Sequence, residues 1–246
     1  MNKWLIAALL LVIIGIFALM LIGFITDWDL SKLGTGSYQT NTYDITDDFN
    51  KLSFETETAD IVFLPSEDGK CKVICYESEN LKSSVSVADD TLTVKNVDTR
   101  KWYQHIGINF ESPKITVYLP KEDYAALTID ESTGDVEIPK DFKFGSIGIS
   151  VSTGDVTCYA SSEGDIQIES STGRVYLENV TAKSLCISLS TGNVTVKNST
   201  FDGDVSVKLS TGNTELSHVS CKNVVTDGST GDITLTDTTV SEKLTI

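Results

Sequence analysis

Basic residues are scarce in this chain. Lysine and arginine number 19 among 246 residues, against 35 aspartates and glutamates, for a net charge of −16. Only Lys3 among the basic residues precedes Asp27, so residues 27–246 set 18 basic side chains against all 35 acidic ones. Such a surface repels the phosphates of nucleic acid and the headgroups of anionic lipids. Divalent cations and cationic partners stay compatible with it. Histidine is scarcer still: His105 and His218 stand apart from each other and from any cysteine pair with zinc-site spacing. The five cysteines, Cys71, Cys75, Cys158, Cys186 and Cys221, are odd in number, so at least one is unpaired within the chain. Cys71 and Cys75 share one face of a strand but lie roughly 13 Å apart there, too far for a mutual disulfide. They read as small strand hydrophobes.

Charge is absent altogether from WLIAALLLVIIGIFALMLIGFI, residues 4–25. As a helix this segment is about 33 Å long, enough to span a bilayer core. Trp4 and Trp28 bracket it, and Lys3 lies on one side with Asp27 and Asp29 on the other. The positive-inside bias places the N-terminus in the cytoplasm and residues 27–246 outside, as a single-pass cell-membrane protein. A cleaved signal peptide has an apolar core of about 7–15 residues and a small-x-small site. The run here is longer, and GFIT at 23–26 makes a poor cleavage site. An uncleaved anchor over residues 1–26 is therefore expected.

What recurs is a short phrase. ESTGDVEI at 131–138 is followed by VSTGDVTC, SSTGRVYL, LSTGNVTV, LSTGNTEL and GSTGDITL. The glycines are Gly134, Gly154, Gly173, Gly192, Gly212 and Gly231, about 20 residues apart. A fixed period of this length marks a repeat architecture. With each glycine as position zero, position −7 holds Leu127, Ile147, Ile166, Leu185, Val205 and Val224. Position −5 holds Ile129, Ile149, Ile168, Ile187, Val207 and Thr226. Position +2 holds Val136, Val156, Val175, Val194, Thr214 and Ile233, and position +4 holds Ile138, Cys158, Leu177, Val196, Leu216 and Leu235. These columns alternate with polar ones, the period of strands with one buried face. Two short strands flank each phrase, and a second turn lies about halfway round, as in Glu163 to Asp165 and Asp202 to Asp204. Each repeat reads as one coil of an all-β, single-stranded β-solenoid, with like positions stacked about 4.8 Å apart. Glycine supplies a positive φ at the turn, and Ser, Thr and Asp or Asn bond the turn's own backbone.

A worn copy precedes these. LSFETETADIVF at 52–63 fits the frame with Ala59 at zero, Leu52 and Phe54 at −7 and −5, and Ile61 and Phe63 at +2 and +4. KCKVICYE, SVSVADDTLTV and KITVYLP add alternating strands. Residues 40–126 read as an irregular β module capping the solenoid's start, 27–39 as a polar stalk and 127–246 as the repeats. Leu244 and Ile246 fit −7 and −5 of a seventh copy, so the chain stops mid-coil. Either more coils follow, or an open strand edge pairs with another molecule.

Chemistry-bearing clusters are missing. Position +1 reads Asp135, Asp155, Arg174, Asn193, Asn213 and Asp232. Calcium-binding nonapeptide solenoids want carboxylates in every coil and doubled glycines; here Arg174 interrupts the column beside Asp155, and no metal site is expected. The outward column at −4 holds Asp130, Ser150, Glu169, Ser188, Lys208 and Asp227, and that at +3 holds Glu137, Thr157, Tyr176, Thr195, Glu215 and Thr234. Both are mixed and unfocused. No helix follows any STG, which excludes a phosphate-binding loop. Trp102, Tyr103 and His105 in KWYQH read as packing of the cap, and Tyr103, Tyr118, Tyr124, Tyr159 and Tyr176 as scattered. No catalytic, cofactor-binding or metal residue is expected, nor any cofactor.

The N-terminal anchor, the stretch KITVYLPKEDYAALTIDESTGDVEIPKDF and the later STG(D/N) repeats resemble a bacterial family of domain-of-unknown-function proteins, the putative-adhesin, β-strand-repeat family. The resemblance implies an extracytoplasmic, membrane-anchored solenoid and supplies no catalytic residues. The expected function is a non-enzymatic adhesin or surface scaffold, with a cell-envelope polymer or surface protein as partner. The alternatives are an envelope-stress accessory acting on a membrane partner and a glycan-active β-helix enzyme. The register makes one prediction of its own. Cys158 lies in the buried +4 column and Cys186 in the outward −6 column, so maleimide should label Cys186 well before Cys158; the reverse order would break the frame.

Overall fold

The computed structural model describes residues 3–26, 37–98 and 112–246. The KWYQH stretch and most of the stalk lie outside them. The chain divides into two units, one comprising residues 1–37 and 99–112 and the other 38–98 and 113–246. In the first, a helix spans Lys3–Thr26. Leu11, Phe17, Leu19 and Phe24 along it are exposed. Among the described residues, which include only part of this helix's side chains, no helix is long and apolar enough to cross a membrane.

The second unit is a β-solenoid built on the sequence frame. All four apolar columns turn inward. The −7 residues from Leu127 to Val224 are at most 1 % exposed, and Ile138, Cys158, Leu177, Val196 and Leu216 of the +4 column are fully buried. Neighbouring coils pair in parallel with like over like: Ile147 opposes Ile166 and Leu127, and Val156 opposes Val175. Parallel stacking converts the 19- or 20-residue repeat into continuous apolar ladders, because only an identical register keeps every inward residue inward.

Each coil has three sides rather than two. A long side runs up to the glycine corner and a second side leaves it. A short third side pairs Lys143 with Asp123 and Ser161, and Phe144 with Tyr124 and Ser162. Its inward column of Tyr124, Phe144, Ala182, Phe201 and Cys221 is buried and completes the core. Between second and short sides lies another corner, six residues after the glycine. There Asn179, Asn198, His218 and Asp237 adopt φ between 47° and 57°. Asn, Asp and His tolerate this left-handed conformation best among residues with a side chain.

The layers do not follow chain order. The coil of Lys51–Thr58 and Asp60–Pro65 stacks on Ala126–Thr133 and Val136–Ile138, and the frame holds: Leu52 opposes Leu127, Phe54 opposes Ile129 and Ile61 opposes Val136. Its other edge is covered by later residues, with Leu52 against Leu92 of Thr91–Asp98 and Phe63 against Val117 of Lys114–Leu119. Antiparallel strands close that end of the stack, Leu81–Ala88 on the long side and Cys71–Ser78 with Tyr38–Ile45 on the second. One continuous core runs from these strands to the last coils.

The corner glycines carry φ from 126° to 154°. A Cβ there would lie 1.5–2.0 Å from the carbonyl oxygen of the residue stacked before it, Ala59 for Gly134 and Gly173 at 1.7 Å for Gly192. Both the backbone angle and the approach exclude a side chain. Gly148 has neither constraint, with nothing within 4 Å of its virtual Cβ. Gly192→Ala should therefore destabilise the fold by about 3 kcal/mol or more, while Gly148→Ala should stay within about 1 kcal/mol of the parent. Denaturant midpoints compare the two, and equal losses would refute the corner argument.

Candidate functional site

The glycine corner carries a side-chain ladder on its outer edge. The N–H of Asp135 donates to Asp60 Oδ1 at 3.0 Å, that of Asp155 to Asp135 Oδ1 at 2.7 Å and that of Arg174 to Asp155 Oδ1 at 2.7 Å. Beyond the arginine the ladder resumes, with Asn213 N–H on Asn193 Oδ1 and Asp232 N–H on Asn213 Oδ1. Aspartate and asparagine interchange because both offer the same oxygen. Arg174 offers none, and there the backbone compensates: strand pairing runs unbroken through the corner, Gly173 on Gly192 and Arg174 on Asn193. The ladder therefore spends these carboxylates on backbone donors, and among the described residues no group of side chains is arranged to hold a metal ion.

Arg174 turns back along the stack. Its Nε and Nη2 donate to Asp155 Oδ2 at 2.9 and 2.6 Å. Partial burial raises the Asp155 carboxyl, but the contacts with Arg174 outweigh it and hold the group below its usual range. Beside this pair, on the outer face of the second side, stand Tyr159 and Tyr176, with ring centroids 6.1 Å apart and planes at 67°. The Tyr176 hydroxyl donates to Glu178 at 2.9 Å. Burial, then this bond and the Glu178 charge, push its pKa up to about 12. Asp155, Thr157, Tyr159, Arg174, Tyr176, Asn193 and Thr195 line a cleft of about 320 Å3 across three coils.

The other outward residues do not converge. Ser150, Glu169 and Ser188 of the −4 column line a shallow serine-rich bay of about 230 Å3. Asp130 and Asp227 lie at the −4 position of other coils, and Lys208 stacks between Ser188 and Asp227. A larger groove of about 610 Å3 at the capped end joins Leu64, Ile74 and Tyr118 to Lys70 and Lys72. The stack also assembles a contact that chain order hides: Ser217 Oγ lies 3.0 Å from His218 Nδ1, and His218 Nε2 lies 3.3 Å from Asp237 Oδ2. These side chains stand on an exposed corner. His218 and Asp237 are 59 % and 71 % exposed, unlike the water-excluded groups of a preorganised nucleophilic site. Cys186 is exposed and Cys158 buried, as the register requires, and Cys71, Cys75 and Cys221 are buried too. Burial pushes the Cys71, Cys75 and Cys158 thiols up to about 12.

Glu131 is the residue that sequence reasoning missed. It occupies the −3 column, otherwise Thr56, Val151, Ser170, Leu189, Leu209 and Gly228, and is 1 % exposed. Its carboxyl accepts the Thr56 hydroxyl, the Ala59 N–H at 3.2 Å and the Thr133 N–H at 3.1 Å. It thus ties the Ala59 corner to the next coil. A single glutamate in a column of small and apolar residues was the available signal.

A model of the family described as Toastrack DUF4097 matches residues 49–246. Among solved structures, a putative adhesin from Bacteroides fragilis is 18 % identical, with a TM-score of 0.48, over 85 % of this chain and 97 % of that one. A putative cell adhesion protein from Clostridium sporogenes is 11 % identical, with a TM-score of 0.42, over 81 % and 99 %. A putative adhesin from Parabacteroides distasonis is 15 % identical, with a TM-score of 0.42, over 86 % and 98 %. No curated protein matches the chain.

Burial dominates at Glu131 and raises its pKa from 4.5 to about 8, against the pull of the two N–H donors. Between those limits the folded chain holds a proton that the unfolded chain releases, so stability falls as pH rises through that window. Glu131→Gln has no charge to bury. Relative to the wild type it should gain on the order of 4 kcal/mol between pH 5 and pH 8, read from denaturant midpoints across that range. A constant difference would show that the carboxyl is ionised throughout.

Proposed function

This chain belongs to the Toastrack DUF4097 family, and on that premise we propose that it is a membrane-anchored surface scaffold of the adhesion type, without enzymatic activity. The observation that carries this reading is the outer surface of the stack. Parallel pairing stacks mainly polar side chains, serine, threonine and acidic residues with Lys208 and Cys186 among them, at the strand spacing, nine strands deep on the long side. At about 4.8 Å per strand that face is roughly 40 Å long. A regular polar face suits a regular partner such as a cell-envelope polymer, or the face of another surface protein. The adhesin names carried by the structural relatives point the same way.

In this reading residues 1–26 are the anchor, with the N-terminus cytoplasmic and residues 27–246 extracellular. Its support is the uncharged run 4–25 within the helix Lys3–Thr26 and the exposed leucine, isoleucine and phenylalanine side chains along it. Residues 27–39 serve as a stalk, 40–126 as the opening module and 127–246 as the repeats. The net charge of −16 disfavours nucleic acid as a partner.

The full chain, reconstituted in lipid vesicles, should capture isolated envelope polymer or host-surface glycan above the level of vesicles carrying a charge-matched unrelated protein. Capture no better than that control would overturn the adhesion reading. Fractionation of cells should find the full chain with membranes and a chain lacking residues 1–26 released; equal partitioning would overturn the anchor.

A further inference from the structure

The repeat has exceptions, and they cluster. Outward positions +1, +3 and +5 of the six coils hold two aromatic residues, Tyr159 and Tyr176, and a single arginine, Arg174. All three line the one cleft across the coils of Gly154, Gly173 and Gly192. A solenoid needs nothing there but solvated side chains, so half-buried tyrosines on an outer face bury apolar ring area without serving the core.

From this juxtaposition we propose that the Tyr159–Arg174–Tyr176 cleft is a binding site for a neutral hexose unit of a polysaccharide; the proposal rests on the adhesion reading above. The two rings supply apolar faces for the C–H surface of a sugar. Around them stand both acceptors and donors: the Asp155 carboxylate, the Thr157 and Thr195 hydroxyls, the Arg174 guanidinium and the Asn193 amide, of which the corner ladder uses only Oδ1. A ligand whose hydroxyls both donate and accept matches that rim. The cleft's volume of about 320 Å3 is at the small end of ligand sites. Charge selects against acids. Asp155 neutralises Arg174 at 2.6 Å, and Glu178, bonded to Tyr176, adds a negative group at the edge. A hexuronate or a phosphate-bearing polymer meets no unpaired cation there. The cleft crosses three coils along the stack, so a polymer would lie along the solenoid axis.

The test uses the full chain in a detergent without a sugar headgroup, titrated with cellohexaose, maltohexaose and a hexagalacturonate, and followed by calorimetry and saturation-transfer NMR. At least one neutral hexasaccharide should bind with Kd below about 1 mM, and the hexagalacturonate should bind more weakly. Tyr159→Ala with Tyr176→Ala should weaken binding by about tenfold or more, and Tyr118→Ala, in the groove at the capped end, should leave it unchanged. Should the double variant fail to fold, Thr195→Trp, which fills the cleft from its far wall, should abolish binding with both tyrosines in place. No binding of either neutral hexasaccharide, equal affinity in the wild type and the variants, or tighter binding of the hexagalacturonate would each overturn the proposal. If the double variant still captured envelope polymer as well as the wild type, the cleft assignment would fall and the scaffold reading would stand.

Discussion

Where each corner glycine would carry a side chain, the carbonyl oxygen of the preceding coil already stands. Everything else in the solenoid depends on that contact. It fixes how closely successive corners approach, and with it the register of every strand on either side. A shift of one residue would turn each inward valine or isoleucine to solvent. The corner spacing and the apolar ladders therefore enforce one another, and the thin core of a chain with few bulky residues is specified by repetition.

Once the corner is fixed, its neighbour acquires a role. The residue after the glycine lies on the outer edge, where its Oδ1 accepts the next coil's N–H. This explains why aspartate and asparagine alternate there without pattern. Arg174 interrupts the column at a corner where the backbone pairs through unaided, so the interruption is tolerated structurally. Its guanidinium turns back onto Asp155 and lines the tyrosine cleft.

The apolar columns were legible in the sequence because period-two alternation and a 20-residue repeat are both one-dimensional signals. The frame even located the worn copy at Ala59, whose partners Leu127, Ile129 and Val136 are those the alignment of columns requires. The short third side escaped notice because strands of two residues, such as Lys143–Phe144, carry no periodicity. Tyr159 and Tyr176 looked scattered because they belong to different columns, +5 and +3, and meet only diagonally across neighbouring coils. Glu131 looked like part of a turn phrase; its burial depends on Thr56 and Ala59, more than 70 residues earlier. In each case the missing information was a contact between coils.

The threading of the base has a kinetic consequence. From Gly134 onward each coil docks on one made 19 or 20 residues earlier, as in the Asp155–Asp135 bond. At the base the equivalent bond, Asp135 to Asp60, spans 75 residues. Closing that larger loop costs about 1 kcal/mol more in chain entropy, and it cannot begin until residues near 135 have been made. The coil at 51–65 emerges first with both strand edges bare and is covered on one side by Thr91–Asp98 and Lys114–Leu119 and on the other by Ala126–Thr133 and Val136–Ile138. Assembly thus has a slow, non-local founding step at the base, followed by local growth in one direction, coil by coil, at the pace of synthesis.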